Sequence, residues 1–108
     1  MPHSPAVLLH HQGHGPAHFD LICGYGSRCP TWRIAVDNGH WIVVSSVPHR
    51  RFYLNYSGPV AHQRGVVRQR WRGLAYWSRD HLSFGPWGFR RLVLRVVPYP
   101  RVPTLPRP

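Results

Sequence analysis

A chain of 108 residues carrying 14 arginines, no lysine, only three acidic residues and a formal charge of +11 has room for one domain with one core, and its charge suits a polyanionic partner such as nucleic acid. No stretch approaches the roughly 18 to 20 apolar residues of a membrane helix, and Ala6–Leu9 is too short for a signal-peptide core, so a cytoplasmic protein without a membrane partner is expected. Cys23 and Cys29, spaced C-x5-C, make neither a disulfide framework nor a CxxC zinc knuckle; buried or loop thiols are the expectation, with a zinc site shared with nearby histidines as the competitor. Codon bias accounts for arginine in place of lysine. It does not account for the scarcity of acid.

In chain order, Met1–Pro5 reads as a loose end and Ala6–Leu9 as a first short strand. Ala17–Cys23 follows as a strand, Gly24-Tyr25-Gly26-Ser27 as a turn, and Thr31–Val36 as an alternating strand with Trp32, Ile34 and Val36 on one face. Asp37-Asn38-Gly39 is a strong hairpin signal before the strand Trp41–Ser46, which Pro48 ends. The segment His49–Pro59 reads as a helical turn or a strand. Gly65–Arg72 and Gly73–Trp77 read as two strands, or as one bent strand with a glycine bulge. Gly85-Pro86-Trp87-Gly88 reads as a turn before a last strand, Phe89–Val97. Residues 98–108 hold five prolines and form an extended tail beyond a single domain of residues 1–97. No segment keeps a helical period, so the expected fold is all-β, a small antiparallel barrel or half-barrel that curls to protect its edges.

Chemistry concentrates in His10–Ile22, which holds four histidines and Asp20. On a strand, His18 and Asp20 project side by side while Phe19 and Leu21 face the core. This makes a two-ligand platform. A third ligand, His11 or His14, can fold back from the glycine- and proline-rich turn at 12–16. Imidazole plus carboxylate suits manganese, iron or zinc, and an incomplete protein ligand set leaves room for water or substrate. Further on, His49, Arg50, Arg51 and Tyr53 form a second set of phosphate-capable groups.

Read together, the segments HFDL (18–21), TWRI (31–34), PHRRFYLNYSGPV (48–60) and RGVVRQRWRG (64–73) resemble the 3′-phosphoesterase domain of bacterial DNA ligase D and its stand-alone relatives, over roughly residues 10–77. The resemblance implies a compact β-barrel that binds a divalent metal, manganese by preference with zinc as the alternative. Its implied activity is to trim 3′ ends in DNA repair by removing a terminal ribonucleoside or phosphate, on DNA or on RNA-tipped ends. DNA ligase or other end-joining proteins are the implied partners. It assigns the metal to His18, Asp20 and an upstream histidine, His11 with His14 as fallback, and the phosphate to His49 and Tyr53. Beside these, Arg50, Arg51 and Arg68 are the candidate nucleic-acid contacts; on a strand Arg50 and Arg51 point to opposite faces, so at most one of the two reaches the site. The chain departs from the family at Ile22, where an arginine is common, and at Ser57 and Trp71, where relatives carry acids. Arg33 or Arg68 could replace the missing arginine in space. The alternative reading is a catalytically weakened, basic nucleic-acid-binding module.

Overall fold

Short alternating runs between glycine and proline turns form strands that pair with their neighbours in the chain. The computed structural model describes residues 3–78, 80–87 and 90–95. It contains β1 (His3–Gln12), β2 (His18–Cys23), β3 (Arg28–Cys29), β4 (Thr31–Asp37), β5 (His40–Ser46), β6 (His49–Arg50), β7 (Gly58–Pro59), β8 (Val66–Trp77), β9 (His81–Trp87) and β10 (Arg90–Arg95), with one 3-10 turn at Arg51–Asn55. The long strands run antiparallel in the order β10-β9-β8-β1-β2-β4-β5, and β10 returns against β5. The sheet is thus a nearly closed barrel and the fold is all-β, as predicted. No helix among the described residues is long and apolar enough to cross a membrane.

The barrel interior takes alternate residues from every long strand. Ala6 and Leu8, Leu21 and Cys23, Trp32 and Ile34, Val43, Ala75, Leu82 and Phe84, and Leu94 form one buried cluster. The other face of β1–β2 is what positions the site. Its register pairs Val7 with Ile22, Leu9 with Asp20 and His11 with His18, so an apolar pair gives way through a mixed pair to a polar one along a single stripe. That stripe is covered: Leu54 from the 3-10 turn, Cys29 and Val67 close a second cluster over Val7, Leu9 and Ile22. Arg72 fixes the cover, its Nη2 donating to the Leu54 carbonyl at 2.6 Å and to Asn55 Oδ1 at 2.9 Å.

Several local expectations are corrected. The first strand is His3–Gln12 and not only Ala6–Leu9, because β8 and β2 pair with it on both sides. Val36 does not join Trp32 and Ile34 in the interior; it is exposed beyond them. Residues 66–77 are one strand whose bulge falls at Arg70, since Leu8 pairs with Trp71 and Leu9 with Gln69. Gly73 serves packing instead: a Cβ there would lie 2.4 Å from the Trp71 indole. Gly85-Pro86-Trp87 is not a turn but the end of β9, a strand that the glycine and proline concealed. Proline is tolerated there because the β9–β10 register slips between Arg90 and Leu92. The hairpin at Asp37-Asn38-Gly39 forms as predicted, with positive φ at Asn38 and Gly39. Phe89, Val96, Val97 and the proline-rich tail lie outside the described residues.

Candidate metal centre

Because β1 and β2 pair His11 with His18 and Leu9 with Asp20, both histidines and the carboxylate fall on one face at one end of the covered stripe. His18 and Asp20 are buried, 7% and 2% exposed. The ligand-capable atoms of His11, His18 and Asp20 all lie within 4.8 Å of one another. His18 Nε2 is 3.4 Å from Asp20 Oδ2, and His11 Nδ1 is 3.9 Å from the same oxygen. His49 Nε2 reaches that oxygen at 3.9 Å from β6, across the pocket.

The outward nitrogens settle the tautomers. His18 Nδ1 donates to the Pro16 carbonyl at 3.1 Å, His11 Nε2 to Arg64 at 2.6 Å and His49 Nδ1 to Val47 at 2.8 Å. A carbonyl only accepts, so each of these nitrogens carries the hydrogen and the other ring nitrogen, turned inward on Asp20, is the one free to ligate through its lone pair in the neutral tautomer. His18 Nε2 and Asp20 Oδ1 are buried with no hydrogen-bond partner. A divalent ion bound at roughly 2.1 Å separates its ligand atoms by about 3 to 4.2 Å, so the donor set fits one with a small contraction. Backbone carbonyls on the outer ring nitrogens are the support that metal-ligating histidines use.

The centre opens into a pocket of about 350 Å³. His49, Arg50 and Tyr53 line it, and the Tyr53 ring meets His49 edge-on at 6.0 Å. His14 also lines it, stacked 6.3 Å from His11, but is not one of the compact three; of the two upstream candidates, His11 stands nearest Asp20. Arg51 and Arg68 are not brought to the site. Arg51 donates to the Gly26 carbonyl at 3.0 Å, and Arg68 pairs with His10, whose ring packs on Phe19 on the barrel side. Partial burial first, then Arg70, lowers the pKa of His10. The structure adds Arg28, Arg33 and Arg64, which the linear reading did not assign to the pocket. Only Arg33 was within reach of the sequence, as a possible stand-in for an arginine at position 22. It pairs with Asp20 across β2–β4, with its Nε 3.8 Å from Asp20 Oδ1.

Ile22 is fully buried beneath the centre, Ser57 Oγ accepts from the Gln69 amide at 3.0 Å, and the Trp71 indole donates to the Pro86 carbonyl at 2.9 Å. Neither cysteine belongs to the metal-capable group; both thiols are free and buried, and burial pushes Cys23 up to about 12. Comparisons with protein-family models, with curated proteins and with solved structures find no match.

Gly65 holds the His11 side of the centre. It sits at φ +86°, and a Cβ there would lie 2.2 Å from the Gln12 carbonyl oxygen, at the end of β1 and next to the carbonyl that His11 uses. Gly65→Ala is expected to cost about 2 kcal/mol or more and to weaken metal binding. Gly39→Ala, at φ +81° in open space, should cost only about 1 kcal/mol and leave metal binding alone. Urea midpoints and manganese titrations check this; equal effects on both would remove Gly65 from the site's support.

Proposed function

We propose that the protein is a metal-dependent phosphoesterase that trims 3′ ends of nucleic acid, of the kind represented by the 3′-phosphoesterase domain of DNA ligase D. The observation that carries the reading is the convergence of His11, His18 and His49 on one oxygen of the buried Asp20, each ring backed by a carbonyl. His11, His18 and Asp20 would hold the ion, manganese by preference with zinc as the alternative. Bound there, a divalent ion supplies Lewis-acid polarisation of a phosphoryl oxygen and an activated water.

The chain's own groups do the rest. His49, once protonated at Nε2, donates to a phosphoryl or leaving-group oxygen in the pocket, and Tyr53 adds a hydroxyl donor beside it. Arg50 neutralises phosphate at the pocket, while Arg51 and Arg68 outside it are left for the nucleic-acid backbone. The proposed setting is DNA repair in the cytoplasm, alongside DNA ligase or other end-joining proteins.

The test is end trimming of a 3′-ribonucleotide-ended and a 3′-phosphate-ended oligonucleotide during manganese titration, with and without EDTA. Trimming that EDTA abolishes is the expected result. Tight, salt-sensitive binding that ignores EDTA and yields no trimming would replace this reading with that of a basic nucleic-acid-binding module.

A further inference from the structure

The pocket beside the metal centre is lined by four guanidinium groups, Arg28, Arg33, Arg50 and Arg64, against one carboxylate, Asp20. They come from separate elements, so sequence adjacency did not collect them. Arg28 and Arg50 are direct partners in the two-stranded β3–β6 ladder. Like charges opposite each other destabilise a ladder unless something anionic lies between them. Arg50 is held there by its own turn, its guanidinium 5.9 Å and 5.8 Å from the rings of Phe52 and Tyr53.

Arg33 faces the orphaned Asp20 Oδ1 at 3.8 Å, too far for a hydrogen bond, and its side chain is 48% exposed. Among the described residues, the Arg28, Arg33 and Arg50 side chains donate no hydrogen bond to the protein. Arg64 spends its donors on Ala61, Arg51 on Gly26, and Arg72 and Arg91 on several acceptors, while Arg68, Arg70 and Arg95 do not line the pocket. Three guanidinium groups that line one pocket without a side-chain hydrogen bond keep their donors for a ligand, and their charge suits a dianion.

We propose that Arg28, Arg33 and Arg50 form a phosphate subsite that binds a terminal phosphoryl group whether or not a metal is present. The nucleic-acid source of that group rests on the function proposed above; the subsite itself does not. Its geometry gives the role of an arginine on β2 to Arg33, one strand over from the buried Ile22.

The test uses the full chain in EDTA, titrated calorimetrically with inorganic phosphate. Binding by the native protein is expected, weakened roughly tenfold in Arg33→Ala and in Arg28→Ala, partly restored in the lysine variants, and unchanged in Arg95→Ala, an exposed arginine on β10 that does not line the pocket. These arginines are surface groups, so circular dichroism should show intact folds. No phosphate binding by the native protein, or binding indifferent to Arg28 and Arg33, would overturn the proposal.

A second arm compares oligonucleotides of one sequence ending in 3′-phosphate or 3′-hydroxyl. Tighter binding of the phosphate end, lost in Arg33→Ala, identifies a nucleic-acid terminus as the carrier. Phosphate binding with equal affinity for both ends overturns that source and leaves free phosphate. Intact phosphate binding without trimming in manganese would sink the phosphoesterase reading and keep the subsite.

Discussion

Asp20→Asn and His18→Ala are each expected to abolish manganese-dependent thermal stabilisation and end trimming. Loss of an outer-sphere partner of a metal ligand costs about 10- to 100-fold in affinity, so removing a ligand from a set of three should exceed roughly 100-fold. An ion at a hundred times its Kd stabilises the native state by about 2.7 kcal/mol, about 10 °C or more for a domain of this size. The native protein should show that shift and the two variants should not. Their metal-free fold should survive, since asparagine keeps the shape of a buried side chain whose Oδ1 has no hydrogen bond to lose. His49→Ala separates ligand from reacting group: its nitrogen is not among the compact three, so the shift should persist while trimming is lost. Equal manganese shifts in native, Asp20→Asn and His18→Ala protein would dissolve the metal centre.

The second large effect is on the barrel. Phe84 is fully buried and lies against Trp71 and Trp41, with ring centroids 5.4 Å and 6.5 Å away. Phe84→Ala should cost about 3 to 5 kcal/mol through lost burial and the cavity left behind. Against a total stability of roughly 5 to 15 kcal/mol, that is enough to unfold a large part of the population. Val93→Ala on β10, 63% exposed, should stay within about 0.5 kcal/mol. Urea denaturation followed by tryptophan fluorescence checks both, and similar midpoints for the two variants would contradict the placement of the interior.

How far the linear reading reached depended on the range of the interactions involved. The Asp37–Gly39 hairpin and the His18/Asp20 platform were legible because a positive-φ turn and a two-residue period are local properties. Strand β9 is not legible in the sequence because Gly85-Pro86 looks like a turn until a register slip on β10 accommodates it. Of Arg50 and Arg51 the sequence allows one at the site without saying which; the 3-10 turn that begins at Arg51 takes it to Gly26 while Arg50 stays at the pocket. Arg28, Arg33 and Arg64 carried no motif, and their proximity arises from strand pairing and loop closure between distant residues.

From sequence alone, then, came the all-β class, the cationic character and the placing of His18 and Asp20 on one strand face, because composition and side-chain alternation act residue by residue. Tertiary structure decided which histidines join them, that the stripe beneath is buried by Leu54, Cys29 and Val67, and which arginines face the pocket. Cross-strand register and the packing of the 3-10 turn made those choices, since both depend on contacts between residues tens of positions apart.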